Sequence, residues 1–209
     1  MALRAKTPNA IEISDSARDV AFCGKSLAED RVTRFGGQGA HDPAATPYFV
    51  LEELLGKLDL QEGSHLLDVG CGRGRVLAYF VQAGLPGRMT GVELDPSLSA
   101  QAFAWSKEYA QVEVAQGSVL ELPLAQFTHF YLFNPFDSVV LVPFLEKIEK
   151  ECANPVKVLH MSDNGETYYY LGKPGWQLLD QGEFQMHQGV QVYGCPQHWS
   201  LWAYERQEK

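Results

Sequence analysis

The feature that most constrains this chain is a short apolar run that stops at a cluster of glycines. His65-Leu66-Leu67-Asp68-Val69 leads into Gly70-Cys71-Gly72-Arg73-Gly74, after which residues 76–82 return to helical spacing. An apolar run closed by glycines and followed by a 3.6-residue period predicts a strand, a tight turn and a helix, the repeating unit of a parallel sheet. Such a turn points backbone amides and a helix N-terminus toward the space above it, so a ligand can approach the main chain closely there.

The rest of the chain repeats the alternation. Pro47 opens a helix carrying Tyr48, Val50, Leu51, Leu54, Leu55 and Leu58 at helical spacing, and Gln61-Glu62-Gly63 ends it. Residues 88–94 read as a second strand, with Ser97 capping a helix that runs through Glu108, and Val112-Glu113-Val114 as a third strand. Residues 128–133 are apolar almost throughout, as in a parallel strand buried on both faces. A helix over 140–151, a strand over 156–161 and a loop over 164–175 follow. Apolar runs around Phe184, Val190 and 199–204 read as a closing antiparallel hairpin.

The expected fold is therefore an α/β, Rossmann-like three-layer sandwich with a mostly parallel seven-stranded sheet and a terminal antiparallel hairpin. Residues 48–209 make up that domain. Residues 1–47 show no clear periodicity and are expected to form an N-terminal arm or lid, with the glycine-rich stretch 34–43 as a flexible loop.

Composition narrows the partners. A chain of 209 residues with 45% hydrophobic and 21% charged side chains suits one globular domain. The balance of 17 Lys+Arg against 26 Asp+Glu, a net charge of −9, removes the counterion-release term behind most nonspecific nucleic-acid binding, so nucleic acid is an unlikely partner. No apolar run approaches the roughly 18 residues of a membrane span, and residues 1–9 lack an apolar leader, so the cytoplasm is the expected compartment and no membrane partner is expected. Cys23, Cys71, Cys152 and Cys195 lie far apart, which predicts reduced thiols and no metal site.

The glycine loop departs from the dinucleotide pattern. Counting Gly-x-Gly-x-x-Gly from Gly70 places Arg75 at the third glycine, which disfavours a nicotinamide-dependent oxidoreductase. Asp68 precedes the loop and Glu93 ends the second strand; two carboxylates repel a pyrophosphate but suit a cationic amino-acid head. A carboxylate ending the second strand can accept hydrogen bonds from both hydroxyls of a ribose. Asp68, Gly70, Gly72, Gly74 and Glu93, in that order, point to an adenosyl ligand.

The runs Leu66-Leu67-Asp68-Val69-Gly70-Cys71-Gly72-Arg73-Gly74-Arg75-Val76 and Gly91-Val92-Glu93-Leu94-Asp95-Pro96 resemble the first two motifs of class I S-adenosylmethionine-dependent methyltransferases. The resemblance extends over residues 48–161 and is nearest to a group of small bacterial-type methyltransferases. It implies S-adenosylmethionine as cofactor, with Asp68, Gly70, Cys71, Gly72 and Gly74 around its methionine part. Glu93 and Leu94 would hold the ribose, and Ser118 and Val119 the adenine, with Ser118 standing where the family usually has an acid. Asn134-Pro135-Phe136 resembles the Asn-Pro-Pro-Phe or Asn-Pro-Pro-Tyr motif with one proline missing. By that resemblance Asn134, Pro135 and Phe136 face the transferable methyl, and Asn134 also contacts cofactor.

The implied function is methyl transfer to an unidentified acceptor, with a nitrogen of a small molecule or protein as the leading candidate. A noncatalytic module binding S-adenosylmethionine or S-adenosylhomocysteine is the alternative from another class. Should a base be needed, His41, Asp42, Asp137, His160 and Asp163 lie near carboxyl edges. Tyr168, Tyr169, Tyr170 and Trp176 are candidates for an aromatic acceptor pocket.

Overall fold

The computed structural model of the protein describes residues 9–28 and 32–207. In chain order, the helices are α1 (Ala10–Cys23), α2 (Tyr48–Leu54), α3 (Arg75–Gln82), α4 (Pro96–Ser106) and α5 (Ser138–Glu151). The strands are β1 (His65–Val69), β2 (Arg88–Glu93), β3 (Val112–Gln116), β4 (His129–Phe133), β5 (Val156–Met161), β6 (Trp176–Phe184), β7 (Met186–His187), β8 (Val190–Gln191) and β9 (Gln197–Tyr204).

Seven strands form one sheet in the order β3-β2-β1-β4-β5-β9-β6. β1 to β5 are parallel to one another, while β9 runs antiparallel between β5 and β6. The order reverses at β1, flanked by β2 on one side and β4 on the other, and in open α/β sheets that reversal leaves a crevice at the carboxyl ends of the strands. The expected Rossmann-like sandwich is the observed one, and β6 with β9 is the expected antiparallel closure. A separate two-stranded ribbon, β7–β8, lies within the connection between them.

Burial explains why β1 and β4 occupy the centre. All five residues of β1 are buried, as are the first four of β4, so neither could lie at an edge or face water. Two apolar clusters cover the two faces. Leu51, Leu54, Leu77 and Phe80 lie in one; Phe130, Phe144, Leu145 and Trp202 lie in the other.

Three local expectations need correction. Asp95, not Ser97, caps α4: its side chain accepts from the amides of Ser97 and Leu98, and Pro96 takes the first helical position, where no amide donor is missed. The α4 helix also stops at Ser106, short of Glu108. Beyond α2, residues 55–58 tighten into a 3₁₀ turn.

A fourth correction is larger. The N-terminal stretch contains the 14-residue helix α1, capped by a reciprocal pair in which Asn9 accepts from Glu12 and the Glu12 carboxylate accepts from the Asn9 amide. Its weak apolar periodicity has a physical cause: the inward face carries the buried acids Asp15 and Asp19. Residues 1–8 and 29–31 of that stretch lie outside the described residues.

Candidate cofactor and acceptor site

Gly70 ends β1 in a left-handed conformation, φ 77°, and a Cβ there would lie 2.8 Å from Cβ of Pro135. Only glycine lets the loop after β1 pass so close to the loop after β4. Amides of Gly70 and Cys71 both donate to the Val92 carbonyl, tying the loop to β2. Gly72 sits over open space, and its amide donates to Oε2 of Glu93 at 2.8 Å. The other Glu93 oxygen accepts from the Asp95 amide, also at 2.8 Å. Burial raises the Glu93 carboxyl, against the amides of Asp95 and Gly72 that pull it down.

Asp68 is wholly enclosed. Burial, with a further push from the Glu93 charge, raises its carboxyl well above the ordinary range, and its Oδ2 has no hydrogen-bond partner among the described residues. An acid left buried without a partner is costly unless a donor or cation arrives from elsewhere. The orphaned oxygen beside an open glycine cradle suits the ammonium end of an amino-acid cofactor.

These elements surround a cavity of about 270 Å³ at the carboxyl edge of the sheet. Asp68, Gly70, Cys71, Gly72, Glu93, Leu94, Ser118, Val119, Asn134, Pro135 and Phe136 all line it. Gly74 does not: a Cβ on it would meet Trp105 and Ala102, so its role is to let α3 start against α4. Ser118 Oγ accepts from the Leu120 amide, 3.2 Å away, and so shapes the turn after β3.

Arg75, which stands where a dinucleotide loop has its third glycine, is held by acids of α1. Its guanidinium grips Asp19 of α1 through two bonds of 2.6 and 3.1 Å and lies 3.5 Å from Asp15. Asp19 also accepts from Tyr48 Oη and the Leu27 amide. The helix absent from the sequence reading is thus bolted to the first residue after the glycine loop.

Past that bolt, residues 33–46 cross the mouth of the cavity. The His41 amide donates to the Pro135 carbonyl at 3.0 Å, its Nδ1 lies 2.9 Å from the Asn134 carbonyl, and the Asp137 amide donates to the Gly39 carbonyl. Ala40 and Phe136 form an antiparallel bridge. Asn134 adopts a left-handed conformation, φ 40°, which turns its carbonyl toward His41.

Behind this wall lies a polar cluster that the sequence brings together from three segments. Asp163 accepts from Ser200 Oγ at 2.6 Å and pairs with His198, while His160 Nδ1 lies 3.1 Å from Tyr170 Oη. His160 Nε2 and Glu166 Oε2 stand 3.5 Å apart. Burial drives His160 down to about 4 and Glu166 up to about 7; the His41 charge opposes the rise of Glu166, and the Asp163 and Asp137 charges add to it. His41 and Asp42 line the cavity, whereas Asp137, His160 and Asp163 do not. Tyr170 packs its ring on Trp202 in the core, Tyr168 is exposed, and neither Tyr169 nor Trp176 reaches the cavity, so the aromatic acceptor pocket is not formed by these four. Phe35, Tyr131, Phe133 and Phe136 supply the aromatic lining instead.

Residues 66–157 match the family described as a methyltransferase domain. Demethylmenaquinone methyltransferase of Bacillus licheniformis is 30% identical over 101 residues, 48% of this chain and 43% of that protein, so the chain spans less than half the length of this relative. Among solved structures, an RNA methyltransferase from Salinibacter ruber in complex with S-adenosyl-L-homocysteine superposes with a TM-score of 0.59 at 20% identity, covering 79% of this chain and 97% of that one. Precorrin-6y C5,15-methyltransferase from Geobacter metallireducens gives 0.56 at 14% identity, over 81% and 95%. Residues 66–157 thus carry the pattern of a methyltransferase domain, and the fold is the one these solved methyltransferases share.

Proposed function

We propose that this protein transfers the methyl group of S-adenosylmethionine to a small acceptor seated between the glycine loop and the segment 33–46. The observation that carries this reading is the buried, unpartnered Asp68 carboxylate beside the open cradle at Gly72, with Glu93 one strand away. When bound, the cofactor supplies an electrophilic methyl on a sulfonium.

The chain's residues then do the holding. Asp68 receives the ammonium end, and the loop Gly70-Cys71-Gly72 gives the methionine part room. Glu93, already fixed by two backbone amides, keeps lone pairs for the ribose hydroxyls. Leu94, Ser118 and Val119 bracket the base. Asn134, Pro135 and Phe136 close the methyl end, where alignment and exclusion of water supply much of the rate. A cavity of about 270 Å³ falls at the low end of ligand sites, which favours a small acceptor.

The test is a screen with tritium-labelled S-adenosylmethionine against small phenols, amines, carboxylates and short peptides, with products identified by mass spectrometry. Labelled product from one class, lost in Asn134→Ala while S-adenosylhomocysteine affinity stays within threefold, supports the reading. Tight binding without product from any class would favour a noncatalytic binding module.

A further inference from the structure

We propose that His41 is the general base for the acceptor, acting through Nε2; this rests on the methyl-transfer reading above. A carbonyl oxygen only accepts, so the 2.9 Å contact of Nδ1 with the Asn134 carbonyl requires the proton to sit on Nδ1. In the neutral ring Nε2 then holds a lone pair. The ring lines the cavity mouth next to Asn134, Pro135 and Phe136. Its orientation is fixed twice, because the backbone amide of the same residue donates to the Pro135 carbonyl.

The same two bonds bear on the class of acceptor. Here the chain's own His41 occupies the Asn134 and Pro135 carbonyls. An amino group finds both carbonyls taken and gains a base it does not need, since its nitrogen attacks without prior proton loss. A base is useful to a protic nucleophile such as a hydroxyl, so the site fits a hydroxyl-bearing acceptor. The acceptor oxygen bonds to the methyl carbon as the carbon–sulfur bond breaks, its electron pair staying on sulfur to leave a neutral thioether, and the hydroxyl proton passes to Nε2.

Glu166, from the 3₁₀ turn over 166–169, interacts electrostatically with His41; Asp42 is its neighbour in sequence, and Asp137 caps α5 with its amide bonded to the Gly39 carbonyl. All three are acids, so they stabilise the imidazolium that the transfer creates. Asp137 is held close by the backbone: a Cβ at Gly39 would stand 2.8 Å from its Oδ1.

Ring-nitrogen NMR of the full chain tests this without an acceptor, with His41 assigned by comparison with His41→Gln. The expected neutral form carries its proton on Nδ1. Adding S-adenosylmethionine should move the Nε2 resonance further than adding S-adenosylhomocysteine does, because only the former places a positive sulfonium nearby. A proton on Nε2, or the same Nε2 resonance with both ligands, would overturn the proposal. Failure of both ligands to bind in calorimetry would instead remove the methyl-transfer reading beneath it. In kinetics with a hydroxyl acceptor from the screen, His41→Gln keeps an amide donor for Asn134 and should lower kcat by roughly 100-fold or more. It should also erase the acid limb of the pH profile while leaving S-adenosylmethionine affinity within twofold; an equal loss of affinity would make His41 a structural residue.

Discussion

The cavity wall made by the ends of β1 and β2 takes its residues from one stretch, 68–95, whereas the wall facing it draws on 33–46, 134–140 and, behind them, 160–170 and 197–200. The first wall is built of short-range devices: glycines at positive φ, amides donating to Glu93 and a strand-end acid. The second depends on contacts between segments about a hundred residues apart, such as His41 with Asn134. The difference teaches that the cofactor side is a local property of the chain, and the acceptor side a property of how the N-terminal segment docks.

The largest expected effect comes from cutting that docking. Arg75→Ala leaves Asp19, fully buried, without its cation, and should destabilise the fold by about 3–5 kcal/mol in urea unfolding. A loss below about 1 kcal/mol would mean that α1 sits independently of the glycine loop. Next, Glu93→Ala removes an ionised acceptor and should weaken S-adenosylhomocysteine binding by about 1.5–3 kcal/mol, roughly 10- to 150-fold in calorimetry. Unchanged affinity would break the local account of the first wall.

Asp68→Asn should act in two opposite directions. Ligand affinity falls by roughly tenfold (about 1.4 kcal/mol), because an amide cannot answer an ammonium charge. Stability of the ligand-free protein rises at neutral pH, where the unfolded chain ionises this acid freely and the folded site resists it. The Asp68 carboxyl is raised in the folded state, so the fold binds its proton more tightly than the unfolded chain does. The native penalty therefore grows as pH rises from the ordinary carboxyl range, and the gain in the variant vanishes in acid.

The smallest effect is at Glu166. Its folded value of about 7 lies above its unfolded one, so its contribution to stability falls as pH rises between them. With 17% of the side chain exposed, solvent softens the effect, and Glu166→Gln should gain on the order of 1 kcal/mol at pH 8 and nothing at pH 5 in paired urea titrations. A gain of equal size at both pH values would remove Glu166 from the charged cluster.

How much was legible follows the same division. The five parallel strands, the glycine loop and Glu93 stand out in sequence because buried parallel strands are continuous apolar runs and tight turns need glycine. The helix α1 was missed because its inward face pairs acids with Arg75 and Tyr48 rather than burying an apolar stripe. Its one sequence signal was the Asn9–Glu12 capping pair. Gly74 was read as a ligand glycine, yet only the packing of α3 on α4 reveals its contact with Trp105. His41 could be proposed from position alone; its tautomer and its hold on Asn134 exist only in three dimensions.

The most direct test of the central claim is calorimetric titration of the purified protein with S-adenosylmethionine, S-adenosylhomocysteine and NAD, each repeated on Glu93→Ala. The account predicts that the first two bind the native protein, that NAD does not, and that the variant loses 10-fold or more for both adenosyl ligands. Binding of NAD alone, or adenosyl binding indifferent to Glu93, would contradict it.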